Sequence, residues 1–467
     1  MHDLRRQALQ SGKTVSRKAQ SKASSRASSR PVSAVNSRTA SRNVSRHGSD
    51  EEDGNLSDST SWRCDILSTS DPMQNILTSF SSVNSIDEAL ASADHNVNLD
   101  VWKEELSERI EQILDRKRSS VAGREESLAA YCRLLTYRFL GEELEGKVDG
   151  LVAAMLKSIK TEPSEKEAAH ALKALGLTLV TSPSHHLYEA IYPVLKTSIA
   201  DSPSETVKAA AIHALSTAIL YSGASTSEIS STMSHLLEIV ESDGQSVDAP
   251  DSGPVVTAAL EEWGLLATHL DDISEDSQDA IDAFIEQLES SDPAVQIAAG
   301  ENIALCYEKS YTEQESDDDS PGSASASDEE ESAVPRTGPR MIKRYAAYRR
   351  TDQLTHQLRS LSTLTSHRLS KKDKKDLHTN FADILNSVEY PTRGPRYQTA
   401  LNQETGRRYG SRMVVRIHRK GVMRIDTWWK LMRLKGLRRV LGGGFVVHYE
   451  ANEVVWDQLP VMVTPER

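Results

Sequence analysis

The chain has 467 residues, a formal net charge of −13, and 38% hydrophobic and 5% aromatic residues. Globular domains carry about 45–50% apolar residues when glycine is counted, so part of this chain is expected to lie outside any core. Three widely spaced cysteines (Cys64, Cys132, Cys306) exclude a disulfide framework and a C-x2-C zinc site. No 18-residue apolar run or secretory h-region is present, so a soluble intracellular protein is expected.

The net charge hides four unequal parts. Residues 1–49 hold 11 Lys/Arg against one acid, a net of +10. Residues 50–100 hold one Arg against 11 acids, a net of −10. Residues 101–335 hold 16 bases against 45 acids, a net of −29, and residues 336–467 hold 27 against 11, a net of +16. Such asymmetry points to nucleic-acid contact or a bipolar interaction protein.

Residues 1–60 are Ser- and Arg-rich with few bulky apolar side chains, which predicts a disordered tail. Ser33, Ser41, Ser45 and Ser49 each follow an arginine by three residues. They are candidate basophilic phosphosites, where each phosphate adds about −1.5 to −2 of charge.

Residues 61–310 are assigned to helical repeats. Trp102, Leu106, Ile110, Ile113 and Leu114 recur at helical spacing. Alanine pairs recur at 129–130, 168–169, 209–210, 258–259 and 298–299, spaced 39, 41, 49 and 40 residues. Pro163, Pro203, Pro254 and Pro293 precede four of them by four to six residues. Proline suits a first helical turn, a Ser or Asp just before it can cap the helix, and alanine permits close helix approach. First helices are predicted over Leu151–Ile159, His186–Ile199, Ser227–Val240 and Ser277–Leu288. A period near 40 with two helices per unit predicts an all-α protein, an armadillo/HEAT-like α-solenoid followed by a small basic, mainly helical C-terminal domain.

Residues 311–339 are expected to be an acidic disordered linker, since 311–335 carry nine acids and no base. Ser316 and Ser327 precede acidic runs and are candidate acidophilic phosphosites. In the basic region 340–467, helices are predicted from Thr351 to about Leu364, from Lys371 to Glu389 ended by Pro391, and from Ile425 to Leu441 ended by Gly442–Gly444. Residues 391–412 are predicted as loop, Met413–Ile417 and Phe445–Tyr449 as strands, with a helical turn through Trp456.

The chain resembles the interferon-related developmental regulator family, as a fungal-type member, first at SDPAVQIAAGENIALCYE (291–308). The resemblance continues through LTHQLRSLSTLTSHRLSKKDKKDLHTNFADILNSVE (354–389). It ends in MRIDTWWKLMRLKGLRRVLGGGFVVHYEANEVV (423–455), with its Ile425-Asp426-Thr427-Trp428, Val440-Leu441-Gly442 and Asn452-Glu453 elements. The resemblance implies an armadillo-like N-terminal domain and a small C-terminal domain, with no enzymatic activity. It further implies members that act as transcriptional co-regulators or bind translationally inactive ribosomes.

No Walker motif or nucleophile elbow is present. His185-His186 lacks a neighbouring ligand cluster in sequence, so no metal, cofactor or small-molecule substrate is expected. The favoured RNA- or ribosome-binding set is Lys371, Lys372, Lys374, Lys375, Arg407, Arg408, Arg412, Arg416, Arg419, Lys420, Arg424, Lys430, Arg433, Lys435, Arg438 and Arg439, since such cations neutralise phosphate and structured RNA is read largely through shape. The alternative is that these cations pair with the acidic solenoid or linker. Trp428 and Trp429 are expected to be core anchors. Two functions follow: ribosome binding that represses or stores inactive ribosomes, or co-regulation of transcription with protein partners in the solenoid groove. The expected location is the cytoplasm, with the nucleus second, and no membrane association.

Overall fold

The computed structural model describes residues 97–313, 341–363, 371–403, 408–417, 421–460 and 464–465. All of them fall within one compact unit, Ser61–Arg467. The Ser/Arg tail with Ser33, Ser41, Ser45 and Ser49, and the acidic residues Ser316 and Ser327, lie outside the described residues.

The described chain is mainly helical. It opens with α1 (Val97–Leu114), α2 (Val121–Tyr137) and the short α3 (Gly141–Leu144). Antiparallel pairs follow: α4 (Val148–Thr161) with α5 (Glu165–Thr181), α6 (Tyr188–Asp201) with α7 (Glu205–Tyr221), α8 (Thr226–Glu241) with α9 (Gly253–Ala267), and α10 (Ser274–Gln287) with α11 (Pro293–Lys309). The first members of the pairs match the four helices expected from the repeat to within three residues. Successive pairs stack, so α2, α5, α7, α9 and α11 form one row and α4, α6, α8 and α10 flank it. The alanine pairs lie in the first row; Ala168, Ala169, Ala210, Ala258, Ala259, Ala298 and Ala299 are all buried where helices meet.

The helix starts follow local chemistry. Asp292 Oδ1 accepts from Ala294 N at 2.7 Å with Pro293 in the first turn, as expected. At Pro163 and Pro203 the cap is instead the following serine: Ser164 accepts from Glu167 N and Ser204 from Val207 N. The prolines there sit before the cap, where they end the preceding loop. The longest repeat spacing, 49 residues, reflects an insertion at 242–252, where Asp243, Gly244, Asp248 and Asp251 adopt positive φ. The buried Lys208 ammonium ties it down, donating to the carbonyls of Ile199, Ala200 and Val247.

Strand β1 (Tyr311–Glu313) pairs antiparallel with β2 (Met341–Lys343), bringing together the two ends of the acidic segment. A further antiparallel pair, α12 (Thr351–Thr363) and α13 (Lys371–Glu389), then packs onto α11. The approach is close: a β-carbon on Gly300 would lie 2.7 Å from Ile384 Cδ1. Two hairpins come next, β3 (Tyr397–Leu401) with β4 (Arg408–Ser411), and β5 (Val414–Ile417) with β6 (Gly421–Arg424); β7 (Thr464–Pro465) adds to β6. The first hairpin replaces the loop expected over 391–412. The chain then forms α14 (Trp428–Leu441), α15 (Phe445–Ala451) and α16 (Glu453–Gln458).

Phe445–Tyr449 is helical, not the expected strand. Phe445, His448 and Tyr449 are buried at positions i, i+3 and i+4, a helical face that overrides the β-prone run Phe-Val-Val. Cys132 and Cys306 are buried, and burial pushes both thiols up to about 12.

Candidate functional site

Helix α14 carries five of the predicted cations, and it lies along the α5–α9–α11 row. Its N-terminus is capped from that row. Glu308, near the end of α11, accepts from Trp428 N at 2.6 Å and Trp429 N at 3.1 Å, satisfying two free donors of the first turn. Because the cap comes from α11, the helix starts at Trp428 rather than Ile425. Asp426 pairs instead with Lys430 at 2.6 Å. The two contacting helices carry glycine where they touch: a β-carbon on Gly264 would meet Met432, and one on Gly436 would lie 2.8 Å from Leu265 Cδ2.

The cations of α14 are largely spent inside the molecule. Lys435 Nζ lies 2.6 Å from Glu301 Oε1. Arg439 forks onto two carboxylates, Glu261 at 2.8 Å and Glu262, the latter 1% exposed. His213 Nδ1 also lies 2.7 Å from Glu262. Burial opposes charge on Glu261, but Arg439, His213 and Lys435 hold its carboxyl below the usual carboxylate range. Among the described residues Arg433 meets no carboxylate. Its guanidinium donates to Thr268 Oγ1 at 3.0 Å, Thr268 O at 2.6 Å and Gln458 O at 3.0 Å, and it stands over the Trp429 ring. Arg438 stands 5.6 Å from the Phe445 ring centre. Lys430, Arg433, Lys435 and Arg439, all in the predicted phosphate-binding set, thus have partners within the chain. Arg433, Lys435 and Arg439 contact the helix row, the pairing left open as the alternative, whereas Lys430 pairs with Asp426 at the start of its own helix.

Trp428 is a core anchor as expected, 2% exposed with its indole N–H donating to Ser387 Oγ at 2.7 Å. Trp429 is half-buried beneath Lys430 and Arg433. The residues after α14 continue along the row: His448 Nε2 contacts Leu135 O at 2.7 Å, and Asn452 donates to Val180 O at 2.9 Å. Helix α14 and the segment after it thus cover part of the row formed by α2, α5, α9 and α11.

The remaining predicted cations divide by location. Arg407, Arg419 and Lys420 lie outside the described residues, as do the side chains of Lys371 and Lys372. Lys374 and Arg408 are half-buried; Lys375, Arg412, Arg416 and Arg424 are exposed. Arg416 and Arg424 share one face of the β5–β6 hairpin, since Val414 pairs with Arg424 and Arg416 with Val422. The opposite face, Val415, Ile417 and Met423, is buried, so the pleat fixes both arginines outward.

Sequence reasoning missed the acids that receive α14. Glu261, Glu262 and Glu301 each follow an alanine pair by two to four residues, a signal that was present. It also missed a Tyr–Arg cluster at Tyr390, Arg393 and Tyr397. His186, which lacks a ligand cluster in sequence, meets Asp149 at 3.2 Å on the surface as one exposed pair. Among the described residues no helix is long and apolar enough to cross a membrane.

The cap makes a pH prediction. Burial pushes the Glu308 carboxyl up to about 7, above its value in an unfolded chain. The protonated form is favoured by the fold, so this group's contribution weakens as pH rises from about 4.5 to 7. Unfolding measured from pH 5 to 8 should show the native protein losing of order 2 kcal/mol relative to Glu308→Gln, which lacks the titration. A constant difference between the two proteins across that range contradicts the assignment.

A family model described as interferon-related developmental regulator matches residues 74–389, ending where α13 ends. The chain is 28% identical to an uncharacterized protein of Schizosaccharomyces pombe over 358 residues, 76% of this chain and 73% of that protein. It is 24% identical to interferon-related developmental regulator 1 of Sus scrofa over 373 residues, covering 75% of this chain and 70% of that one. The chain belongs to the interferon-related developmental regulator family.

Proposed function

We propose that this protein is a non-enzymatic adaptor that binds RNA on the ribosome and holds ribosomes in an inactive state. In this reading the stacked pairs form an armadillo/HEAT-like solenoid, and residues 340–467 supply the basic contact region. The observation that carries the reading is the outward pair Arg416 and Arg424 on a hairpin whose other face is core, with Arg412 and Lys375 also exposed. Lys435 and Arg439 of α14 are engaged by Glu301, Glu261 and Glu262, whereas the hairpin arginines are exposed cations of the net +16 region. Such a surface neutralises phosphate with salt-dependent affinity.

The co-regulator reading needs a vacant groove, and α14 covering part of the row counts against a peptide bound there. Cytoplasmic residence is part of the proposal. Gradient sedimentation of extracts from growing and starved cells tests it. The protein should travel with ribosomal fractions at low salt and leave them at high salt or after RNase treatment. Absence from those fractions in both extracts overturns the reading.

A further inference from the structure

The turn after α13 and the β3–β4 ribbon carry tyrosine rings, and at Arg393 a guanidinium, that the charge argument does not use. The Arg393 guanidinium carbon stands 3.6 Å from the Tyr390 ring centre and 5.0 Å from that of Tyr397. Arg412 stands 5.1 Å from the Tyr409 ring centre. The two stacks are joined, because Arg412 N donates to Arg396 O, one residue before Tyr397, and the Arg412 side chain donates to Gln398 Oε1 at 3.1 Å.

The cluster is held in place from below. Arg393 donates to Asn386 Oδ1 at 3.0 Å, and Arg396 pairs with Asp383 at 3.2 Å. Gly394 presses on the backbone at the entry to α14, where a β-carbon would lie 1.8 Å from Asp426 O. The rings nevertheless face solvent: Tyr390 is 38% and Tyr409 41% exposed. Tyr390 stands beside the half-buried Arg393 and Tyr409 beside the exposed Arg412, and neither ring is needed to fill the core.

We propose that this Tyr–Arg ladder is a stacking platform for unpaired bases of an RNA strand. Tyr390 and Tyr409 offer ring faces to successive bases, while Arg393 and Arg412 lie against those rings. Arg416 and Arg424, on the hairpin that follows in sequence, take the phosphates. Base–ring stacking is tolerant of sequence because every base has a π face, whereas a duplex keeps its bases stacked internally. This rests on the RNA-binding reading above and adds the kind of RNA: a loop, bulge or free end rather than a helix.

The test uses the purified full chain and three labelled probes in anisotropy titrations: a short polyuridine strand, an abasic ribose-phosphate strand of equal length, and a blunt RNA duplex. Polyuridine should bind at least about tenfold tighter than the abasic strand. Tyr390→Leu/Tyr409→Leu should erase that ratio while leaving abasic affinity and thermal unfolding unchanged, and Tyr390→Phe/Tyr409→Phe should keep it. Equal affinity for polyuridine and abasic strands overturns the platform. So does a Leu variant that loses both strands alike, the mark of a purely structural cluster. If the abasic strand binds through Arg416 and Arg424 but the ratio is one, the charge reading stands and the platform falls; if no probe binds, both fall.

Discussion

Replacing Arg439 with alanine is expected to cost about 3–5 kcal/mol of folding stability, because it strands two carboxylates against α14. Glu262 is 1% exposed and Glu261 28%, and Arg439 is the cation that reaches both. Lys435 on Glu301 and His213 on Glu262 stay in place but do not replace its fork. Denaturant unfolding of Arg439→Ala reads the loss. Adding Glu261→Gln and Glu262→Gln should recover most of it, since the uncompensated charge is then gone. Lys375→Ala, at an exposed position, should stay within about 0.5 kcal/mol of the parent. If Arg439→Ala unfolds like the parent and instead loses RNA affinity, Arg439 is a phosphate contact and the packing account is wrong.

Gly444→Ala should be the most damaging small substitution in the C-terminal segment. A β-carbon there would lie 1.5 Å from the Thr136 carbonyl oxygen of α2, a backbone atom that cannot rotate away. The expected loss is about 3 kcal/mol or more, at the upper end of overpacking effects. Its neighbours separate conformation from space. Gly442 ends α14 at φ 53, so alanine there costs about 1–3 kcal/mol through backbone strain. Gly443 is exposed with only the Tyr137 ring nearby, 3.6 Å from a β-carbon, and its alanine variant should be near neutral. Melting temperatures of the three variants check the order Gly444, Gly442, Gly443. Equal effects at all three contradict docking of this segment on α2.

The repeat helices were legible because several local rules agree on them. Caps, prolines, alanine pairs and a period near 40 all mark the same boundaries, as at Asp292-Pro293 and Ala298-Ala299. The β3–β4 ribbon was not legible. Gln398, Thr399, Ala400 and Leu401 are all exposed, so no apolar alternation exists to mark a strand, and Gly410 breaks the pleat at φ 65. The fate of the basic helix was legible only as two alternatives. Glu301 and Lys435 are 134 residues apart, and nothing in local sequence pairs them. Composition marked the region as basic, while tertiary packing decided which cations face inward and which outward.

The central claim is that the hairpin arginines, not the α14 cations, meet RNA phosphate. It is tested most directly by the salt dependence of affinity for purified ribosomes. Arg416→Ala/Arg424→Ala should reduce the slope of log affinity against log salt by roughly 1.4–1.8, the loss of two phosphate contacts, with unfolding unchanged. An unchanged slope in this double variant contradicts the account.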